Sequence, residues 1–172
     1  MAGERNGMTD QALQRAIDCL QIQDVWLHQS NAWMARWYDP KFPSTERFEV
    51  QYKHLLSGSY LMEVARHDVR YYVFRVFIDL GARLVPRREA KETEAGEEES
   101  EPLTQIEATF VAEYHTAEDP GAEALEAFAQ RNASYHVWPY WREYLSSHST
   151  RMSLPKITVP AIQFAYNRDD SC

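Results

Sequence analysis

Cysteine and glycine are scarce in this chain, and basic residues are outnumbered. Among 172 residues the two cysteines, Cys19 and Cys172, cannot form a disulfide framework and lack the spacing of a metal site. Eighteen Lys and Arg against 26 Asp and Glu leave a net charge of −8. The basic footprint of a nucleic-acid binder is therefore missing. No apolar run approaches the length of a membrane span. The polar opening MAGERNGMTD is no charged-then-apolar signal peptide, so a reducing cytoplasm is the expected compartment, with neither nucleic acid nor membrane as a partner. GxGxxG and GxxxxGK(S/T) are both missing, which removes the usual phosphate and dinucleotide cradles.

Nothing announces catalysis. His28, His54, His67, His115, His136 and His148 are dispersed, without HExxH spacing. Cys19 falls on or beside the apolar face of a helix, where a small core role is expected, and Cys172 is the last residue. Asp169 and Asp170 stand at a terminus, where nothing would shift their pKa. The expectation is a protein that is not an enzyme and carries no cofactor or metal.

What is abundant is aromatic. Five Trp, ten Tyr and seven Phe make up 13% of the chain, within a hydrophobic share of 44% and a charged share of 26%. That balance belongs to one folded domain, long enough to bury a core without staples. Leu13, Ala16, Ile17 and Leu20 recur at helical spacing after the capping candidates Thr9 and Asp10, so a short helix is expected over 9–20. The following LQIQDVWL changes parity between residues 22 and 25, as a bulged strand or a strand buried on both faces would.

Residues 30–45 follow no period and hold Pro40 and Pro43, which reads as a long loop carrying Trp33, Trp37, Tyr38 and Phe42. Further strands are expected at RFEVQYKHLL, at YLMEVA after a Ser57-Gly58-Ser59 turn, at DVRYYVFRVFIDLGARLV and at LTQIEATFVAEYH. In the third of these Tyr72, Phe74, Val76, Ile78 and Leu80 face one side, with Arg75 and Asp79 on the other. In the last, Ile106, Ala108, Phe110, Ala112 and Tyr114 face inward, with Glu107 and Glu113 outward, a pattern that favours antiparallel pairing.

Between those two strands, residues 87–102 carry seven Glu against Arg87, Arg88 and Lys91, half of the chain's excess negative charge. Such a stretch buries too little apolar surface to order itself and reads as a solvated connection or a dock for a basic partner. Helices are expected over AEALEAFAQ and over 133–149, where Pro139 either kinks the second or marks its first turn. The Pro-punctuated end is extended. Strands grouped before helices give an α+β class, with a helix, four or five strands, two helices and an extended tail in order.

Trp26, Trp138 and Trp141, on regular elements, are expected in the core. The loop quartet Trp33, Trp37, Tyr38 and Phe42 either caps the core or lines an accessible apolar groove. A groove of flat rings would suit extended apolar segments, because rings lose little side-chain entropy.

The segment HVWPYWREYLSSHSTRMSLPKITVPAIQF, residues 136–164, resembles the C-terminal signature of the SecB family of export chaperones. The matches are Pro139, Tyr140, Arg142 and Glu143, then Leu154, Pro155, Ile157, Val159, Pro160 and Phe164, and LQIQDVWL is similar to the family's first strand. The resemblance implies a SecB-like four-stranded antiparallel sheet with helices packed on one face, spanning 20–164 after a helical extension at 1–19 and before a short tail at 165–172. It also implies an ATP-independent holdase for unfolded polypeptides or preproteins, a homotetramer built as a dimer of dimers. Clients would bind at Trp33, Trp37, Tyr38 and Phe42, and Tyr140 and Arg142 would pack between subunits.

Two departures touch the translocation motor SecA. Export members continue beyond the Phe with a long helix and a SecA-contacting tail, whereas this chain stops eight residues after Phe164. Gln29 and Trp33 stand where those members place carboxylates. The extra first helix and acidic insert are similar to SecB-like chaperones of toxin–antitoxin systems, which protect an antitoxin. Two readings from other classes stay open: a small-molecule enzyme with His28, His115 or His136 as base, and a scaffold whose aromatics serve only self-association.

Overall fold

In the computed structural model the described residues are 2–42, 48–66, 69–87 and 101–159. His67, the acidic run 88–100, Pro43 and the end 160–172, with Pro160, Phe164, Asp169, Asp170 and Cys172, lie outside them. The elements are α1 (Ala2–Cys19), β1 (Gln21–Met34), β2 (Phe48–Arg66), β3 (Val69–Pro86), β4 (Thr104–Thr116), α2 (Ala122–Arg131) and α3 (Ala133–Arg151). The strands form one antiparallel sheet in the order β1-β4-β3-β2. This is the α+β class that the grouping of elements implied.

Alternation decides which face is covered. Phe74, Val76, Ile78, Leu80, Ala82 and Leu84 of β3 stand beside Ile106, Ala108, Phe110, Ala112 and Tyr114 of β4, and all are buried. Over them lie α2, through Phe128, whose ring meets Tyr114 edge-on at 4.9 Å, and α3, through Val137, Trp141, Tyr144 and Leu145. Each large apolar side chain so buried contributes on the order of 1.5–3 kcal/mol. Helix α1 packs on α2, burying Ala12, Leu13 and Ala16, and Asp10 accepts a 2.8 Å hydrogen bond from Arg131.

Several expectations are corrected. The first helix begins at Ala2, so Thr9 and Asp10 lie inside it and are not caps. Eleven of its residues, 9–19, fall within the expected helix, and its first turns offer no apolar stripe to extend it. The 30–45 loop is shorter: β1 continues to Met34, paired rung by rung with β4 as far as Thr104. Bulges at 22/24 and 27/29 shift the parity of β1, which is why its second half shows no period.

Ser57-Gly58-Ser59 is not a turn. β2 is one strand, and a bulge between Leu56 and Gly58 absorbs Ser57, whose hydroxyl donates to the Phe77 carbonyl and to Asp79. Four strands result among the described residues. Pro139 lies inside α3 and not at its first turn. That helix ends at Met152, and Ser153 takes φ 55°, the left-handed turn that stops helices. Beyond it residues 154–159 run extended over the covered face, with Leu154, Ile157 and Val159 against the core and Thr158 accepting a 2.7 Å hydrogen bond from Tyr52.

Candidate functional site

The bare side of the sheet is organised in transverse rows, because antiparallel register aligns every second residue of four strands. From one end they read Trp33–Gln105–Arg83–Gln51, then Asn31–Glu107–Gly81–Lys53, then Gln29–Thr109–Asp79–Leu55. Next come Trp26–Val111–Phe77–Gly58 and Asp24–Glu113–Arg75–Tyr60. Successive rows are about 6.6–6.8 Å apart, two residues of strand rise.

The last two rows form an aromatic platform around a cation. The Arg75 guanidinium lies 5.3 Å from the Trp26 ring, donates from Nε to Glu113 at 2.7 Å and from Nη1 to the Tyr60 hydroxyl at 3.1 Å. Those hydrogen bonds, Tyr60 first and Glu113 next, raise its pKa further. Phe77 packs between Tyr60 at 5.8 Å and His28 at 5.4 Å between ring centroids. Trp26 is thus not a core residue as its place on a strand implied. Its neighbours Val25 and Leu27 take the covered side, and the alternation within each strand, which sets Trp26 apart from Val25 and Leu27 and groups Arg75 with Phe77, is the available signal. Trp141 is buried as expected, and Trp138 is partly so.

The middle rows sink into a polar hollow of about 300 Å³ lined by Gln51, Lys53, Gly81, Arg83, Gln105 and Glu107. A second recess of about 190 Å³ adjoins it at Gln29, Asn31, Asp79 and Thr109. Lys53 and Glu107 approach to 3.4 Å across Gly81, and Arg83 donates from Nε to Gln51 at 2.8 Å. Composition gave no sign of this depression, which arises because one glycine meets the centre of a wide sheet.

The quartet named from the sequence divides. Trp33 is a strand residue at the first row, 37% exposed, its carbonyl held by the Thr104 hydroxyl at 2.9 Å. Trp37 and Phe42 stand on the connection after β1, 65% and 82% exposed. That connection is shaped locally: Ala35 N–H donates to Leu103 O, Tyr38 N–H to Ala35 O, and Lys41 N–H to Asp39 Oδ1. Tyr38 turns inward, its hydroxyl buried without a hydrogen-bond partner among the described residues, and burial followed by the Asp39 charge raises its pKa. Among the described residues none of the four rings stacks on another. Tyr140 is 48% exposed and Arg142 is exposed, both on the solvent side of α3.

The histidines named as possible bases do not gather. His115 lies 3.2 Å from Glu113 on the open platform. His28 is exposed beside Phe77. His136 shares a 2.9 Å hydrogen bond with Tyr114 beneath the helices, and burial lowers its pKa while pushing that of Tyr114 up. Among the described residues no three His, Cys, Asp or Glu are grouped to hold a metal, and no helix is long and apolar enough to cross a membrane.

No family model matches this chain, and no curated protein matches it in sequence. Among solved structures it is similar to the Rv1957 SecB-like chaperone of Mycobacterium tuberculosis, determined in complex with a ChAD peptide from the HigA1 antitoxin. The TM-score is 0.59 at 19% identity, over 89% of this chain and 97% of that one. The fold is SecB-like, as the C-terminal motif implied.

Proposed function

We propose that this protein is an ATP-independent holdase that keeps non-native polypeptides from aggregating, and not an enzyme. The observation that carries this is the exposure of Trp37 and Phe42 on a short connection beside outward-facing Trp33, in a SecB-like fold. Large rings left in water are costly unless something covers them, and a client's apolar side chains supply that cover. Anything that binds the unfolded state preferentially lowers its free energy, so holding requires no nucleotide. Tyr38 supports the connection from beneath.

The working particle is a cytoplasmic homotetramer, a dimer of dimers, with Tyr140 and Arg142 between subunits. The long β1 edge, unpaired on the side away from β4 and bearing Asp24 as its one carboxylate, supports strand-to-strand association of copies. Clients include preproteins. The net charge of −8 favours positively charged clients. A second reading has one specific support: the structural neighbour holds an antitoxin peptide, so the client of this chain is an antitoxin segment.

The test combines light scattering with protection of a denatured client in the absence of ATP. A tetramer that suppresses aggregation supports the reading, and a monomer without effect ends it. Client affinity that is indifferent to salt and to client charge would remove the electrostatic part alone. The enzyme reading requires an enclosed His–carboxylate pair, and His115–Glu113 lies on an open face. The scaffold reading requires Trp33 and Trp37 to be fully covered in the oligomer, which iodide quenching of their fluorescence would report.

A further inference from the structure

The bare face alternates in chemistry with a fixed repeat. An apolar row, Trp26–Val111–Phe77, is followed two rows on by the hollow at Gly81 and one row further by Trp33. A chain laid extended along the strands presents every second side chain to the face at about the same 6.6–6.8 Å interval. Residues i, i+2, i+4 and i+6 of such a segment therefore fall on successive rows.

The hollow selects the side chain that enters it. Lys53 and Arg83 face it against the single carboxylate Glu107, an excess of one positive charge. Asp79, in the next row, already accepts from Ser57 and Thr109 at 3.0 and 2.8 Å. Arg83 uses Nε for Gln51, and its terminal nitrogens have no partner among the described residues. A guanidinium with two free terminal nitrogens fits a carboxylate in a forked pair. Gly81 makes the room: a Cβ there would stand 3.2 Å from both Glu107 Cγ and Lys53 Cβ.

We infer that this face reads extended client segments by register, taking an apolar side chain at i over Trp26 and Phe77, a carboxylate at i+4 beside Gly81, and an apolar one at i+6 against Trp33. The inference rests on the holdase reading and adds a preferred client pattern to it. The net negative charge of the chain acts at long range on the client as a whole, and the hollow acts by contact on one side chain.

The probe is a labelled twelve-residue peptide with Tyr at i and i+6 and Glu at i+4, measured by fluorescence anisotropy. Two companions carry Lys at i+4 or the second Tyr at i+3. The matched peptide is expected to bind about tenfold more tightly than either companion. Gly81→Val, which fills the hollow, and Arg83→Gln, which removes its charge, should each bring the Glu-to-Lys ratio below about twofold, Arg83→Gln with an unchanged melting temperature. If Gly81→Val fails to fold, Arg83→Gln decides alone. Equal affinity for the Glu and Lys peptides, or a preference that survives Arg83→Gln, overturns the inference. A protein that protects denatured clients yet shows no such preference keeps its holdase reading and loses this one; a protein that protects nothing loses both.

Discussion

The two faces of the sheet are made from the same four strands yet differ in nearly every respect. On the covered face, Phe74, Ile78, Ile106 and Phe110 interlock with α2, α3 and the extended 154–159 segment, and polar groups enter as pairs such as Tyr114 with His136 and His54 with Ser134. On the bare face, one residue away along each strand, aromatic rings share space with Arg75, Glu113, Lys53 and Glu107. The covered face stabilises the fold. The bare face, with the connection that follows β1, is the part free to meet another chain.

That contrast can be broken first where it is strongest. Phe74→Ala or Trp141→Ala removes a large buried ring and should cost about 3–5 kcal/mol in chemical denaturation. A comparable loss from Trp37→Ala would erase the distinction between the faces. The expected outcome for Trp37→Ala combined with Phe42→Ala is the reverse: stability within about 0.5 kcal/mol of the parent, and client affinity weakened about tenfold, near 1.4 kcal/mol.

An intermediate effect sharpens the comparison. Glu113→Gln on the platform leaves Arg75 without its carboxylate and should cost about 1 kcal/mol, because the pair is only partly shielded. The same variant should also redshift Trp26 emission, since the guanidinium would no longer be held over the indole. A loss as large as that of Phe74→Ala would move the platform into the core.

The smallest effect is pH dependence from beneath the helices. Burial lowers the pKa of His136 in the folded protein, so on acidification the unfolded chain takes up its proton first. Stability from this group is complete above about pH 6.5, falls as pH drops through that unfolded value, and levels off below the folded one. His54, also lowered by burial and sharing a 2.7 Å hydrogen bond with Ser134, acts in the same direction. The melting temperature should therefore drop modestly between pH 7.5 and 5.5, and by less in His136→Gln. A rise over that interval would contradict the assignment.

Period two read β3 and β4 correctly because each lies between two strands, one face sealed and the other mixed, so pattern and environment agree. It failed on β1 and β2, the edge strands, where bulges near His28 and Ser57 move the parity midway. Period therefore assigns Trp33 to a loop, although it is a strand residue, while Trp37 and Phe42 do lie on the connection after β1. The hollow was illegible for a different reason: Gly81 matters only through Lys53 and Glu107, which stand on different strands, 28 and 26 positions away. The SecB-like motif around Pro139–Arg142 and Leu154–Val159 conveyed the fold where periodicity could not.

The strand order has a consequence for synthesis. β2 and β3 are neighbours in sequence and can zip together as soon as they emerge, but Gln21 pairs with His115, 94 residues later. At ribosomal rates of 5–20 residues per second, β1 with Trp26 and Trp33 waits on the order of 5–20 s for its partner. Non-local closure of this kind is slow and leaves a tacky edge exposed in the interval. Each nascent copy of this protein is, for those seconds, in the same predicament as the polypeptides it is proposed to hold.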